Sequence, residues 1–379
     1  MPGLRESRIP ERRPLRGFVR LAALMLLAHA GVAAAQEITD CDAHDGLEPL
    51  CGVRGSEDLE VLPGGGQLIV SESRVQFDAE GRMHWLPSGL ARLDLGTRQP
   101  QPLYPAPGSA RPVDHWGDAG CKGEIGAALS PHGLQLSRRA DGRWQLLVVN
   151  HGGRESVEIF ELLGRGARAS LAWRGCVLAP PHAFLNDVAA LADGGFVVTQ
   201  YMDPRRSMAE QHADAEKGAN TGVVLRWRPG HGLTPVPGTE APLPNGIQVA
   251  HDGRSMFVSV RGEHGELRKY ALPSGRLLAS VRVTNPDNLS WAEDGHLLAA
   301  GLQPGADLTG CFVVMTHPCG AAFVVQAIDP DTLHAQAVFS HSGAPLGLAT
   351  VAVQAGPDLY VGSAAGDRVL RVPAERWTH

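Results

Sequence analysis

The sequence lacks several signals that would assign its chemistry at once. It contains no H-E-x-x-H, G-x-S-x-G, Walker A or G-x-G-x-x-G motif, so zinc proteases, α/β-hydrolases and nucleotide-dependent enzymes have no support. It also lacks a C-x-x-C pair, which argues against a thiolate metal site. No Gly/Ser-rich linker or low-complexity run divides the chain, and this favours a single domain.

The first 35 residues have the pattern of an export signal. Six arginines precede a short apolar core at Leu21–Leu27, and Ala33-Ala34-Ala35 before Gln36 forms a small-residue cleavage site. The core is too short for a membrane span of about 20 apolar residues, although a retained anchor helix is the alternative. We therefore predict a signal peptide at residues 1–35, a single domain at 36–379 and a secreted or periplasmic protein. The choice between Sec and Tat export stays open.

The net charge of the chain indicates which kinds of molecule it could bind. The whole chain has 34 basic and 40 acidic residues, and residues 1–35 hold six Arg and two Glu. The remainder therefore carries 28 basic and 38 acidic residues, a net charge of −10. This excess argues against nucleic acid and anionic membranes as partners and favours cation binding, although an acidic surface also serves solubility alone. The oligomeric state cannot be inferred.

The six cysteines predict structural disulfides. In an exported protein six cysteines permit 15 full pairings. Local spacing favours Cys41 with Cys51 and Cys311 with Cys319, which leaves Cys121 with Cys176. No cysteine lies in a motif with a histidine, so a nucleophilic role is not indicated.

A turn followed by a short apolar strand recurs along the chain, mostly every 40–60 residues. Its six occurrences are Pro63–Ser71, Ala140–Asn150, Ala192–Thr199, His251–Val260, Glu293–Gly301 and Gly356–Ser363. Asp-Gly between apolar runs is a hairpin signal, and the period matches the four-stranded blade of a propeller. We predict an all-β fold, a six-bladed β-propeller with four-stranded blades around a central tunnel. A pair of β-sandwiches is the alternative. The polar insertion Pro204–Asn220, with a possible helix at Met208–Lys217, is interpreted as a solvated loop.

Four short stretches pair Asn, Asp or Glu with apolar neighbours where strands should begin or end. They are G-S-E-D-L-E (Gly55–Glu60), L-N-D-V (Leu185–Val188), L-P-N-G-I (Leu243–Ile247) and P-D-N-L (Pro286–Leu289). Side chains so far apart in sequence can meet if the chain circles a common axis. Hard oxygen ligands gathered in this way suit Ca²⁺, although Asp and Asn also cap turns and strand ends.

These stretches, together with S-P-H-G-L (Ser130–Leu134) and V-V-N-H-G (Val148–Gly152), resemble the paraoxonase/arylesterase family in the same order, from about Gly55 to Val372. The family consists of calcium-dependent lactonases on a six-bladed propeller, with a broader relation to gluconolactonase-like propellers. The resemblance implies two calcium ions. It assigns the catalytic ion to Glu57, Asn186, Asn245, Asp287 and Asn288, and the structural ion to Asp58, Asp187 and the backbone carbonyl of Leu134.

The resemblance also assigns His132 and His151 to the chemistry. His132 would take a proton from the attacking water and His151 would orient or relay, since histidine titrates near neutral pH. Asp287 as base or nucleophile is an alternative, as is a water held by an aspartate. The expected function is hydrolysis of lactones or aryl esters. The alternatives are a sugar-acid lactonase of the gluconolactonase type and a non-catalytic, calcium-stabilised propeller that binds a small ligand.

The chain departs from the family at several points. Arg368–Val372 contains no cysteine, so closure of the ring is expected to depend on hydrogen bonds and packing, with the disulfides acting elsewhere. Aromatic residues of the family's lactone pocket are poorly kept at Leu243 and at Leu297-Leu298. The active-site loop is expected to be shorter, around Ser71–Phe77. The family's apolar membrane helices are not evident. These departures leave the physiological substrate open.

Overall fold

A computed structural model of the chain describes residues 38–78, 83–106, 114–262, 264–308, 311 and 316–377. The signal peptide predicted for residues 1–35 lies outside the described residues, and so does the predicted start of the domain at residue 36. Both boundaries stay predictions. None of the helices in the described part of the chain is long and apolar enough to cross a bilayer.

The described residues are almost entirely β-structure. In chain order the strands are β1 (Glu48–Cys51), β2 (Leu59–Val61), β3 (Gln67–Glu72), β4 (Val75–Phe77), β5 (Met83–Trp85), β6 (Gly89–Asp94), β7 (Gln99–Tyr104), β8 (Pro131–Arg138), β9 (Trp144–Asn150), β10 (Ser156–Leu163), β11 (Ser170–Leu178), β12 (Phe184–Ala190), β13 (Phe196–Met202), β14 (Val223–Arg228), β15 (Gly232–Pro235), β16 (Pro244–Val249), β17 (Ser255–Val260), β18 (Glu266–Ala271), β19 (Leu277–Arg282), β20 (Pro286–Trp291), β21 (Leu297–Leu302), β22 (Phe323–Ile328), β23 (Ala335–His341), β24 (Ala349–Ala355), β25 (Asp358–Ser363) and β26 (Arg368–Val372). The helices are α1 (Met208–Glu216) and the 3-10 turns Gly126–Ala128, Gly166–Arg168 and Ala374–Arg376.

The strands form six antiparallel sheets of four strands and the separate hairpin β4-β5. The sheet orders are β2-β3-β6-β7, β8-β9-β10-β11, β12-β13-β14-β15, β16-β17-β18-β19, β20-β21-β22-β23 and β24-β25-β26-β1. The first strand of each sheet contacts the first strand of the next, from β2 through β8, β12, β16 and β20 to β24, and β24 contacts β2 again. The described residues therefore form a six-bladed β-propeller, as predicted, and the alternative of two β-sandwiches is wrong. We call these first strands the inner strands.

Asp-Gly turns lead four of the inner strands into the second strand of their blade, at one end of the ring. Gly194 and Gly253 adopt φ of +83° and +68°, the left-handed conformation that glycine adopts without a steric penalty. The preceding aspartates accept hydrogen bonds from the turn backbone, as Asp193 Oδ1 does from the Gly195 N–H at 3.0 Å. Because these turns lie at one end of the ring, the inner strands all begin at the opposite end, where the predicted site residues lie.

Apolar side chains fill the spaces between neighbouring blades. Val149 and Val157 of the second blade, for example, pack with Val188 and Val198 of the third in one buried cluster. Burying each such side chain contributes roughly 1.5–3 kcal/mol. This packing between blades fixes the positions of the inner strands relative to one another.

The ring is closed by the first strand and the last. β1 supplies the outer strand of the blade that β24, β25 and β26 begin, and it pairs with β26 from Glu48↔Arg371 to Cys51↔Arg368. Closure through backbone hydrogen bonds, without a cysteine in the last strand, was predicted.

The three predicted disulfides are confirmed as Cys41–Cys51, Cys121–Cys176 and Cys311–Cys319. One expectation about them needs correction. Cys51 is the last residue of β1, so one disulfide anchors the closing strand instead of acting elsewhere. This disulfide joins the end of β1 to Cys41, in the segment that precedes the strand, and so it holds the strand that closes the ring.

The possible helix at Met208–Lys217 is confirmed as α1 (Met208–Glu216), but the interpretation of the insertion Pro204–Asn220 as a solvated loop is wrong. Helix α1 begins with a capping box between Ser207 and Glu210, and its Gln211 and Ala215 are 1% exposed. Gln211 can be buried because its amide bonds the backbone N–H and C=O of Asp203 at 2.8 and 2.9 Å. The helix is thereby fixed against the mouth of the propeller.

Candidate active site

Five of the inner strands open with a break in their pairing register. The breaks fall between Pro131 and Leu134, Leu185 and Val188, Pro244 and Ile247, Pro286 and Leu289, and Ala349 and Val351. Inside them lie His132, Asn186, Asp187, Asn245, Asp287, Asn288 and Thr350. A bulge turns side chains away from the usual strand alternation, and three of these strands begin with proline, which donates no ladder hydrogen bond. The same kind of local break therefore directs the side chains within it toward the axis, while Glu57, Asp58 and His151 lie outside these breaks.

Glycines let the inner strands approach each other closely at this level. A Cβ added to Gly133 would lie 2.6 Å from Cα of Asp187, and one added to Gly246 would lie 2.7 Å from Cα of Asn288. Neither contact is possible for a larger residue without movement of the backbone. The two glycines thus hold neighbouring blades together where the site residues begin.

Four buried oxygen atoms of the predicted calcium ligands have no hydrogen-bond partner within the protein. They are Glu57 Oε2, Asn186 Oδ1, Asn245 Oδ1 and Asn288 Oδ1. The four residues are only 1–3% exposed. A buried polar atom without a partner costs about 1–3 kcal/mol, and four of them on one ring of inner strands indicate a common ligand.

The other polar atoms of this group are held by neighbours. Asn288 Nδ2 donates to the backbone oxygen and to Oε1 of Glu57 at 3.0 and 2.8 Å, and Thr350 Oγ1 donates to the same backbone oxygen at 2.7 Å. Asp287 Oδ2 accepts a hydrogen bond from Arg261 at 2.7 Å. Glu57 and Asn288 are therefore fixed with an oxygen left over, and Asp287 shares its charge with an arginine.

Asp58 and Asp187 lie deeper and join neighbouring blades. Asp58 accepts from the N–H groups of Leu59 and Leu134 at 2.8 and 2.6 Å, and Asp187 from those of Val188 and Ile247 at 2.7 and 2.8 Å. Burial raises the pKa of both carboxyls, and the charge of Asp187 raises that of Asp58 further. Leu134 lies beside Asp58 as expected, with its N–H making the contact. The role assigned to its carbonyl stays a prediction.

The donor set fits calcium better than a transition metal. Among the described residues, no group of three or more His, Cys, Asp or Glu side chains is placed to hold a metal ion by itself, so amide oxygens have to complete any coordination. A mixture of carboxylate and amide oxygens with no sulfur is typical of Ca²⁺ sites. Glu57, Asn186, Asn245, Asp287 and Asn288 are therefore suited to hold an ion at the mouth, and Asp58 and Asp187 to hold one below it.

The two predicted histidines contact each other beside this group. His132 Nδ1 lies 3.0 Å from His151 Nε2, and His132 Nε2 lies 3.4 Å from Glu57 Oε1. Burial lowers the pKa of His132, but the carboxylates of Glu57, Asp287 and Asp187 outweigh it, so the pKa is raised. Burial lowers the pKa of His151 in spite of Glu155. The structure thus brings together all the predicted histidines and carboxylates.

Aromatic residues at the site were not predicted from the sequence. Trp85 and Phe184 both pack against the ring of His151, with ring centroids 4.0 and 4.5 Å away. Trp85 lies on the hairpin β4-β5, so the segment expected to be a short loop near Ser71–Phe77 extends further than predicted. Leu297 and Leu298, where we expected the family's pocket aromatics to be replaced, are buried in the blade cores. No motif contains Trp85, and only the position of Phe184 next to L-N-D-V gave a signal.

Two charged residues at the site were also missed. Arg261 follows β17 and pairs with Asp287 through its Nη2. Glu155 lies 2.9 Å from His151 Nδ1 through its Oε2. Neither residue belongs to the short motifs at the starts of the inner strands. Arg261 follows the second strand of its blade, and Glu155 precedes the third strand of its blade.

A cavity of about 560 Å³ opens above the mouth, between helix α1 and the inner strands. Met208, Leu243, Leu302 and Leu348 form much of its apolar wall, while Asp287 and Thr350 contribute to its lining where the inner strands begin. A largely apolar space that ends on a few polar groups is typical of small-molecule sites. The cavity can therefore place a small carbonyl compound against Asp287 and Thr350, where the inner strands begin.

Comparison with known families agrees with this geometry. The family model described as Arylesterase matches residues 51–369, which include every predicted histidine and oxygen ligand. The chain belongs to the arylesterase family. The three disulfides and the gathered histidines, carboxylates and amides are therefore features of an arylesterase-family propeller.

Solved structures similar to this arylesterase-family chain share only low identity with it. A gluconolactonase from Xanthomonas campestris is 18% identical with a TM-score of 0.49, covering 90% of this chain and 98% of that one. A structural-genomics protein described as a candidate gluconolactonase is 14% identical with a TM-score of 0.49, covering 91% and 99%. No curated protein matches the chain. The family match thus supports a hydrolase of the esterase or lactonase type that acts on a small molecule.

Proposed function

We propose that the protein is an exported, calcium-dependent hydrolase of lactones or aryl esters. The observation that carries this proposal is the set of four unpartnered buried oxygens, from Glu57, Asn186, Asn245 and Asn288, beside the His132–His151 pair. With Asp287, these residues would hold one calcium ion. Asp58, Asp187 and the Leu134 carbonyl would hold a second, structural ion. The ion at the mouth would supply positive charge that polarises the carbonyl and offsets a developing oxyanion.

His132 is the general base in this proposal. Its Nε2 points toward Glu57 at the mouth while its Nδ1 is engaged with His151. Nε2 takes a proton from water as the water oxygen bonds to the carbonyl carbon. The same proton then passes to the leaving alkoxide oxygen as the carbon–oxygen bond breaks. His151 holds the ring of His132 and does not meet the substrate.

Asp287 is less suited to this role. Its Oδ2 is occupied by the guanidinium of Arg261 at 2.7 Å, and a charge-assisted hydrogen bond of this kind stabilises the ionised form. Burial raises the pKa of Asp287, but Arg261 and His132 oppose that effect. Asp287 therefore serves better as a ligand than as a base or nucleophile.

The cavity favours apolar substrates over sugar lactones. Its walls are mainly Met, Leu, Ala and Phe side chains, and these give a hydrophilic sugar few hydrogen-bond partners. Aryl esters and lactones with alkyl substituents fit better. Under the gluconolactonase-type alternative, a sugar lactone would have to use the fewer polar side chains of the lining, among them His212, Arg261 and Asp287.

Export from the cytoplasm is supported by the three disulfides. Disulfides form and persist in oxidising compartments, and every cysteine of the chain is paired. Together with the signal peptide predicted at residues 1–35, they indicate a secreted or periplasmic enzyme.

The test is hydrolysis of phenyl acetate, an alkyl δ-lactone and gluconolactone by purified protein, with calcium, after chelation and after calcium is restored. We expect turnover of the first two substrates that chelation abolishes and calcium recovers. His132→Gln should lower kcat roughly 10²- to 10⁴-fold, the usual contribution of a general base, while calcium binding persists. Preference for gluconolactone would support the sugar-lactonase alternative. A protein that binds calcium but hydrolyses no substrate would be a ligand-binding propeller.

A further inference from the structure

Glu155 connects the histidine pair to the next blade. Its Oε2 lies 2.9 Å from Nδ1 of His151, and its Oε1 accepts the N–H of Leu185 at 2.7 Å. Leu185 immediately precedes Asn186, one of the proposed calcium ligands. Each carboxylate oxygen of Glu155 therefore has a defined donor, one of them on the inner strand β12.

These contacts fix where the protons of the two histidines are. A carboxylate can only accept hydrogen bonds, so Nδ1 of His151 carries a proton and donates it to Glu155. In the neutral ring Nε2 of His151 is then an acceptor, and Nδ1 of His132 must donate to it across 3.0 Å. In the neutral ring of His132 the lone pair is then on Nε2, and a proton taken up there would lie beside Glu57 Oε1, 3.4 Å away.

The ring of His151 is held in place by packing. Trp85 and Phe184 both pack against it, at interplanar angles of 29° and 15°, and its side chain is only 1% exposed. Because the ring is buried against these two side chains, its two nitrogens keep the same neighbours. Which nitrogen of each histidine carries the proton is then decided by Glu155, the residue that contacts Nδ1 of His151.

We propose that Glu155 is a positioning residue that sets the tautomers of His151 and His132 and so leaves Nε2 of His132 free to accept a proton. The kinetic consequence rests on the proposed hydrolase function. The tautomers themselves depend only on the hydrogen-bond chain from Glu155 to His132.

Glu155→Gln tests the proposal while preserving the size of the side chain. The Leu185 N–H requires an acceptor, so the amide oxygen of the substituted side chain takes that position and its NH₂ group faces Nδ1 of His151. Nδ1 then has to accept, and the proton of His151 moves to Nε2. That proton is donated to Nδ1 of His132, whose own proton moves to Nε2, and the lone pair at the mouth is lost.

We expect ¹⁵N and ¹H NMR of histidine-labelled protein to show His151 protonated at Nδ1 in the parent and at Nε2 in Glu155→Gln. We expect kcat of this variant to fall at least about 10²-fold with little change in KM, since a base in the wrong tautomer cannot act. Glu155→Asp, which restores a carboxylate, should recover part of kcat. Glu60→Gln is the matched control, because Glu60 also accepts an inner-strand N–H, that of Leu136 at 3.0 Å, without contacting a histidine.

The outcomes separate this inference from the proposed function. An unchanged His151 tautomer in Glu155→Gln would overturn the inference, and so would a kcat within about twofold of the parent or equal to that of Glu60→Gln. A parent protein that hydrolyses none of the substrates would contradict the proposed function. In that case the NMR comparison alone still decides the role of Glu155.

Discussion

Arg261 brings a permanent positive charge to the carboxylates that we propose as calcium ligands. Its side chain is 20% exposed and its Nη2 lies 2.7 Å from Asp287 Oδ2. An ion at the mouth would share Asp287 with this guanidinium and be repelled by it. Two unit charges about 5 Å apart interact by roughly 3 kcal/mol at an effective dielectric constant near 20. Arg261 would thus lower the affinity for the proposed calcium ion, while it compensates the charge of Asp287 in the protein without the ion.

We therefore expect Arg261→Met to bind calcium about tenfold more tightly than the parent. The gain is smaller than the full repulsion because Asp287 screens part of the arginine's charge. Calorimetric titration of the chelated protein with calcium measures the difference. Without calcium the same variant should melt at a lower temperature, because Asp287 is then buried without its partner. Arg268→Met is the control, since Arg268 pairs with Glu266 at 2.8 Å away from the site. Weaker calcium binding in Arg261→Met would show that the arginine acts mainly by holding Asp287 in position.

Single residues also show how far the sequence predicts the site. Glu57, Asn186, Asn245 and Asn288 stand in short motifs next to strand ends, and the structure gives them a common environment. Arg261 and Glu155 could not be identified in this way. Arg261 follows the second strand of one blade and Glu155 precedes the third strand of another. Only the packing of whole blades brings these side chains to the site, and no local motif signals that packing.

Helix α1 is the element whose role differs most from the prediction. Its charged residues suggested a solvated loop, but Met208 and Ala215 pack with Phe184, Tyr201 and Leu243. The polar residue that is buried, Gln211, is satisfied by backbone groups that no periodicity reveals. By contrast, the strands were predictable, because Asp-Gly turns and apolar runs are local signals.

The docking of α1 should depend on pH through His212. Burial, followed by the positive charge of Arg261, lowers the pKa of His212 to about 4. Its imidazole faces the hydroxyl of Tyr201 at 3.2 Å. Since the docked histidine has the lower pKa, protonation favours the undocked helix, and docking is lost as pH falls from about 6.5 toward 4. At pH 5 the loss amounts to about 2 kcal/mol.

Hydrogen exchange of α1, corrected for intrinsic rates, measures this effect at pH 7 and pH 5. We expect faster exchange at pH 5 in α1 but not in the inner strands, and a His212→Gln variant in which the difference between the two pH values disappears. Equal protection of α1 at both pH values in the parent would contradict the pKa shift of His212.

At the scale of the whole molecule, stability depends on the closure between the first strand and the last. Motifs did not reveal β1, because E-P-L-C is short and contains a proline, and only the ring leaves an edge for it to pair with. Arg368 of β26 is 1% exposed. Its guanidinium donates to the carbonyls of Asp40 and Ile38 at 2.6 and 3.3 Å. A single side chain therefore ties the N-terminal segment to the closing blade.

Replacing Arg368 by Met should remove these bonds and leave the buried Ile38 carbonyl and the partly buried Asp40 carbonyl without this donor, at a cost of roughly 2–4 kcal/mol in the free energy of unfolding. Arg371→Met is the matched control on the same strand. Arg371 also spans the closure, to Glu48 at 2.9 Å, and it pairs with Asp358 at 2.7 Å, but its side chain is 29% exposed. A partly exposed ion pair contributes about 1 kcal/mol or less, so Arg371→Met should cost less than Arg368→Met in denaturant unfolding. Equal destabilisation would mean that the closure is held by the β1-β26 ladder and the Cys41–Cys51 disulfide, with the buried arginine contributing little.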